Sequence, residues 1–457
     1  MAKTGNIFQV HWSLLAIIAV LVCPSGLLFA QSPSDSPHRN RYLLAVPLPK
    51  TVVTEPKIAQ PVATGIAVPP KRTMTLAEIT ETATHNHPGI QQAKRQAEAL
   101  RGAWVQAGLK SNPSIGYSAE DMTESHAGTQ GVTISQPITP KYKRDARQAA
   151  IHREYQSANQ TYQIQCQKAI NDAMLMAYRV AYAYRKYTIL EELTRISQES
   201  LRVGSVLLQA REIERSAFLD IKIQLEQTQI ALKDAEIAYH TACKELAILL
   251  GLPERELIEI ADAVETLPPE LNEAALLTEI LTCSPELRQG YAEVEAAKAR
   301  LKQQCAEAGI DYDTNARIAY NTETKQSEVS VGVAIPLRLF DRNQGNIKQA
   351  QSELAASYRN VERLERLMAQ RFEQLWGEYQ TARNRVVSYK ERILPESHEL
   401  LDLALDSYRH GEYSTHEMLE AQRTFSDIQI KYLDHLHALM ESQVLLQGAL
   451  LSGGLEK

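Results

Sequence analysis

The stretch "VSVGVAIPLRLFDRNQGNIKQA", residues 329–350, decides how the rest of the chain is read. It opens with an alternation. Val329, Val331, Val333 and Ile335 fall on one side, and Ser330, Gly332 and Ala334 on the other. A period of two marks a β-strand. Pro336 and "LFDRNQG" end the alternation, Gly345 included, and a helical pattern then continues for about fifty residues. A strand that feeds so long a helix needs a sheet to join and a reason for the length.

Three other segments alternate in the same way. "SIGYSAE" sets Ile115, Tyr117 and Ala119 against Gly116, Ser118 and Glu120. "GVTISQP" sets Val132 and Ile134 against Thr133 and Ser135, and "ARIAYNTE" sets Ile318, Tyr320 and Thr322 against Ala319, Asn321 and Glu323. The four strands, near 114–120, 131–138, 316–323 and 329–336, pair as two hairpins through "DMTESHAGTQ" and "TKQSE". Each has one apolar and one small or polar face. The helices are too long to fold back over such a sheet. In a membrane the apolar face can meet lipid while the polar face lines a lumen. Open edges are not tolerated in lipid, so the sheet must close. Four strands cannot close alone, but three copies supply twelve. The expectation is a homotrimer with a shared twelve-stranded barrel, four transmembrane strands coming from each protomer. Two hairpins capping a soluble bundle are the alternative.

The chain is duplicated at a distance near 200 residues. "HNHPGIQQAKRQAEALRGAW" around Pro88 matches "TCSPELRQGYAEVEAAKARL" around Pro285. Phe218, Ile221, Leu225, Thr228 and Leu232 step by three and four, and 200 residues later Met418, Ala421, Phe425, Ile428 and Tyr432 keep the same register. A period of 3.5 means helices packed along one seam. No proline lies between Pro140 and Pro253, and only Pro395 follows Pro336, which leaves room for very long helices. Each half therefore reads as a helix of about thirty residues, two strands, a helix near sixty, a break, and a helix near forty.

Around these repeats lie simpler segments. Lys3, an apolar run "LLAIIAVLVC" and a small residue at position 30 read as a secretory signal over 1–30. Eight of the nineteen prolines lie in residues 32–70, so 31–72 reads as a linker. The first repeat is expected over 73–251, a connection over 252–284, the second repeat over 285–452, and a tail over 453–457. Cys166, Cys243, Cys283 and Cys305 are scattered without metal-type or disulfide spacing. The formal charge of -6, with no basic patch, argues against nucleic acid.

No nucleophile, phosphate-loop or zinc motif stands in the chain, so neither catalytic residues nor a cofactor are expected. His435 and His437, like His85 and His87, are two apart and face different ways on a helix. His435 falls on the heptad seam. His410 and His416 lie near the turn "YRHGEYS", where Gly411 breaks the helix. Glu417 and Glu420 follow that turn and are three apart, so they share a helix face.

The chain resembles the TolC-type outer-membrane efflux proteins from about residue 75 to 452. "LAEITETATHNHPGIQQAKRQAEA", the strand pairs, "ILPESHELLDLALDSYRHGEYSTHEMLEAQRTF" and the duplication carry the resemblance. "VAIPLRLFDRNQGNI" is similar to the CzcC-like heavy-metal branch. The resemblance implies a mainly α fold with a small β part: a long α-helical coiled-coil barrel crossing the periplasm, below a trimeric β-barrel in the outer membrane. Residues 252–284 and the tail become candidates for an equatorial girdle. Pro137, Pro336 and Gly345 become the barrel-to-helix transition.

The resemblance also implies a docking tip for a periplasmic adaptor and an inner-membrane pump of the RND type. The tip would hold a gate. Glu417 and Glu420 match an acidic constriction, for which three copies make stacked carboxylate rings that favour cations and raise some carboxylate pKa values through crowding. Tyr408 matches a tyrosine that holds the tip closed. The first-half tip departs from this pattern. Arg211 stands in the place of Gly411 and Ala217 in that of Glu417, and only Asp220 keeps the charge of Glu420. A bond from Tyr408 to a first-half carboxylate is therefore in doubt, and Arg211 is free to pair with an acid nearby. The implied function is the passive outer-membrane channel of a tripartite efflux system, with heavy-metal cations as the expected cargo. A multidrug or type I secretion duct, and a secreted periplasmic scaffold without a pore, are the competing readings.

Overall fold

The computed structural model describes residues 71–122, 128–252, 257–261, 267–410 and 412–453. The expected signal over 1–30, most of the linker over 31–72, and Gly411 lie outside the described residues.

The first half begins with β1 (Lys71–Met74), α1 (Leu76–Asn86) and α2 (Pro88–Gly108). Thr75 opens α1 with a capping box: its hydroxyl accepts from the Glu78 N–H, and Glu78 accepts from the Thr75 N–H at 2.9 Å. The hairpin β2 (Ser114–Glu120) and β3 (Thr129–Ile138) follows, then α3 (Lys141–Ala210) and α4 (Arg215–Leu250). The second half repeats the order after β4 (Leu257–Ile260): α5 (Glu273–Cys283), α6 (Pro285–Glu307), β5 (Tyr312–Asn321), β6 (Gln326–Ala334), α7 (Gln344–Ser388), a π-helical turn (Tyr389–Ile393), α8 (Leu394–Arg409) and α9 (Thr415–Gln447). At 1.5 Å per residue, α3 alone is about 105 Å long.

Several expected bounds need correcting. The single first helix is two, of 11 and 21 residues, parted at His87. His87 takes an extended conformation (ψ 121°) because Pro88 follows it. Pro285 does the same after Ser284. The expected sixty-residue helix is 70 residues unbroken in the first half. In the second half it is 45 and 16 residues separated by the π turn. Pro395 lies just beyond that turn, and the wider turn absorbs the helix hydrogen bond that proline cannot make. The third strand starts at Tyr312 and the fourth at Gln326, both earlier than expected. Lys71 and Arg72, assigned to the linker, belong to β1, which pairs in parallel with β4.

The heptad seam forms the core. Ile221, Leu225, Tyr239 and Leu246 of α4 are buried, as are Met418, Phe425, Leu439 and Leu446 of α9. Ala173, Ala177 and Val180 let α3 approach α4 closely, while Phe372, Trp376 and Tyr379 of α7 stack beside α9. Small residues on one pair of helices and aromatics on the other fill the same kind of seam.

The sheet runs β2-β3-β5-β6, antiparallel throughout. Tyr117, Val132, Ile318 and Val329 stand directly opposite one another in a row across it, and Ile115, Ile134, Ala316 and Val331 form the next row. Ile115 and Val331 are 76% and 77% exposed. The opposite face carries Thr133, Arg317 and Ser330 in register, and Arg317 meets Glu120 at 2.9 Å. A sheet whose apolar face is the exposed one has no internal core to cover it.

Candidate functional site

Two regions carry the expected functional residues: the junction of sheet and helices, and the far ends of the long helices.

At the junction, Pro137 sits opposite Asp313 near the end of β3, and Pro140 precedes α3. Pro336 follows β6 by two residues. The turn into α7 is made by Asn343 (φ 61°) and not by Gly345, which lies within the first turn of the helix with open space around it. Asparagine tolerates the left-handed region, and here its amide also reaches the Gln304 carbonyl at 2.7 Å while its backbone N–H donates to Asp341. The sequence pattern missed a charge cluster beneath it. Lys143 is buried, with Asp311 at 2.7 Å and Glu307 at 4.0 Å. Arg147 grips both oxygens of Glu307, and Arg338 donates to the Glu307 backbone carbonyl at 2.6 Å. Lys143, on α3, and Asp311, beside β5, are 168 residues apart in sequence. Nothing local in sequence announces such a pair.

At the far end, α3 closes on Arg211 in the left-handed conformation (φ 61°), its N–H donating to the Leu207 and Leu208 carbonyls. That position suits glycine, as Gly411 in the matching place suggests. No ion pair of Arg211 is found among the described residues. Ser414 and Glu417 form a second capping box at the start of α9, with Glu417 accepting from both the Ser414 N–H and hydroxyl at 2.8 Å. These bonds hold the Glu417 carboxyl below the usual carboxylate range. Glu420 and Asp220 are exposed.

Tyr408 is buried against Ile221, Met418 and Leu419. Burial pushes its phenol up, opposed by the nearby Thr415 hydroxyl. Among the described residues, no partner meets hydrogen-bonding geometry at the phenol oxygen, and no first-half carboxylate is bonded to it. The two halves are joined nearby by Gln422, which donates to Ser200 at 2.7 Å, and by Arg423, which donates to Gln224 at 2.9 Å.

The histidines divide as their spacing implies. His435 packs edge-on to Tyr389, and His437 stacks on Tyr182 with ring centres 4.7 Å apart. His437, Tyr182 and Tyr239 help line a cavity of about 420 Å³ between α3, α4, α9 and β4. His87 is wholly buried and desolvation lowers its pKa. Among the described residues, no cluster of three or more His, Cys, Asp or Glu side chains comes together, and no helix is long and apolar enough to cross a membrane.

The chain is thus a set of long paired helices carrying a small sheet whose apolar rows are exposed. The profile of the outer membrane efflux protein family matches the chain twice, over residues 79–252 and 276–450, and the chain belongs to that family. It is similar to the cobalt-zinc-cadmium resistance protein CzcC of Cupriavidus metallidurans, 23% identical over 367 residues, covering 79% of this chain and 86% of the relative. Among solved structures, one of CusC superposes with a TM-score of 0.68 at 18% identity, covering 83% of this chain and 92% of that one. The outer membrane protein VceC of Vibrio cholerae superposes with a TM-score of 0.65 at 16% identity, covering 82% of this chain and 95% of that one. At these identities the structural likenesses speak for the fold.

Proposed function

We propose that this chain is the outer-membrane duct of a tripartite efflux system and that its cargo is divalent heavy-metal cations. The observation that carries the reading is the sheet. Its apolar rows face outward, and β2 and β6 have free edges within the chain. Three copies would join β6 of one to β2 of the next and close twelve strands in lipid, removing both edges. The apolar rows would meet lipid, and Thr133, Arg317 and Ser330 would face the lumen. Residues 1–30 would direct the chain across the inner membrane. Residues 252–284, with β1 and β4, would belong to the equatorial girdle.

The long helices would then span the periplasm, and their far ends would dock a periplasmic adaptor bound to an inner-membrane RND-type pump. Arg211, Tyr408 and Gly411 would shape the tip, while Asp220, Glu417 and Glu420 would favour cations there. Pro137, Pro336 and Gly345 would mark the passage from barrel to tunnel. The name of the relative CzcC supports the metal cargo.

The test is growth of a deletion strain against cobalt, zinc, cadmium, nickel, copper and silver salts, beside dyes and antibiotics. Sensitivity confined to metals is expected. Sensitivity to organic compounds alone would keep the duct and move it to multidrug export.

A further inference from the structure

The duplication lets each helix face in one half be compared with its counterpart 200 residues away in the other. Within the chain, α9 lies along α3. Gln422 donates to Ser200 at 2.7 Å across this seam, and Tyr182 donates to Asp434 at 2.6 Å. On the α9 side Leu419, Gln422 and Leu433 are buried, and Ile430 and His437 are half-buried. The counterparts on α4 are Leu219, Lys222, Lys233, Ile230 and Ile237, and all five are exposed. Leu419 is 4% exposed and Leu219 46%. The other side of the seam behaves alike. Ser200 of α3 is 4% exposed and Val203 half-buried, while their counterparts on α8, Leu400 and Leu403, are 43% and 58% exposed. The helices pair as α4 with α3, α3 with α9 and α9 with α8. One seam is therefore complete, and the two sides of a second lie uncovered on the first and last helices of that row.

We propose that the exposed face of α4 in one copy packs along the exposed face of α8 in a second copy, repeating between chains the contact that α9 and α3 make within one. The duplication names the occupant: the α9 side of the complete seam recurs on α4, and the α3 side recurs on α8. Two different faces meet, so the contact is heterologous and repeats from copy to copy around a ring. Carrying the Gln422–Ser200 bond across sets Lys222 beside Leu400 of the partner subunit. Leu419 and Val203 share one apolar cluster, so Leu219 comes beside Leu403 of the partner subunit. The chemistry of the two seams differs. Gln422 and Ser200 are replaced by Lys222 and Leu400, and Arg423, which bonds Gln224 within the chain, by Ile223. The lysine can lay its stem on the leucine and keep its ammonium in water. The seam between copies is thus closed by aliphatic burial where the seam within a chain is tied by hydrogen bonds. The inference rests on the reading of the chain as a multi-copy duct. It deepens that reading by naming a helical interface and its register, which the sheet alone does not define.

The test uses the purified full-length protein carrying K222C and L400C together, oxidised with copper phenanthroline in detergent. Non-reducing gels give the covalent mass, and mass spectrometry of the linked peptides identifies the joined positions. Covalent multimers joined through positions 222 and 400 of different chains are expected, and neither single variant should give them. V203C with L419C, the matching pair of the complete seam, is expected to link within one chain and leave its mass unchanged. Adding L403D to the K222C and L400C protein should lower the yield of multimers severalfold. Leu403 is exposed in the single chain, so helix content by circular dichroism should not change. Three copies by native mass spectrometry without a 222–400 link between chains would overturn this seam and keep the duct. A 222–400 link formed within one chain would also overturn it. A single chain by native mass spectrometry would remove the seam and the duct together.

Discussion

Lys143, with no exposed side-chain surface, holds Asp311 at 2.7 Å across the junction where the sheet meets the helices. The pair ties the start of α3 to the start of β5, so one half of the duplication is anchored on the other. Truncating one partner of a buried pair leaves the other charge stranded, whereas an apolar replacement of the buried partner removes the desolvation cost as well. Asp311→Ala is expected to destabilise the protein by about 2 kcal/mol. That is below the range for fully buried pairs, because Asp311 is itself 40% exposed and Glu307 remains at 4.0 Å. Lys143→Met should cost less. Unfolding in denaturant, followed by circular dichroism, ranks the two variants.

Arg211 is held at φ 61° where its counterpart is Gly411. A side chain in that region costs about 1 kcal/mol relative to glycine. Arg211→Gly should stabilise the end of α3 by about that amount, read as slower proteolysis of the 211–214 turn. Unchanged cleavage would mean that the Arg211 side chain makes a compensating contact.

The capping box at Ser414 sets Glu417 apart from Glu420. Glu417 is engaged by Ser414, while Glu420 has no bond among the described residues. Glu420→Gln should therefore shift the cation preference of the channel more than Glu417→Gln does, as measured by reversal potentials in planar bilayers. Glutamine can serve in a capping box, so Glu417→Gln should also leave α9 intact, whereas Ser414→Ala should cost about 1 kcal/mol. The sign of the pH effect follows from the lowered pKa. The Glu417 contribution is present above the ordinary glutamate value and is lost as pH falls through the folded one.

His437 is kept neutral by desolvation, which lowers its pKa, and desolvation lowers those of His435 and His87 too. Glu441 and Asp434 pull His437 the other way, and Arg179 adds to the lowering. The unfolded chain then binds more protons than the folded one below the ordinary histidine value. Stability should fall as pH drops from about 6.5 through the folded values. His437→Phe keeps the stack on Tyr182 and should flatten part of this slope, measured as melting midpoint against pH.

The strands and the heptad seam were legible because each rests on a local period. Val329, Val331 and Val333 alternate, and Ile221 and Leu225 step with the helix. The β1–β4 pair was not legible. Each strand has four residues, they pair across 186 positions, and parallel pairing leaves no turn signal. The split at His87 was written in Pro88, but a proline at the first helical position reads equally as the start of one long helix. The turn at Asn343 was hidden by Gly345, the residue to which a glycine rule points. Glu417 and Glu420 were legible as two charges on one helix face after the turn. What Glu417 does with its charge depends on Ser414, three residues away, through a capping box that spells itself in sequence only once the helix start is known.

The most direct test of the account is the mass of the detergent-released assembly by native mass spectrometry. The sheet of one chain has two free edges and an exposed apolar face, and closure in lipid requires further strands. Three copies of the chain are predicted. A single chain or a dimer in the outer-membrane fraction would contradict the shared barrel and, with it, the duct.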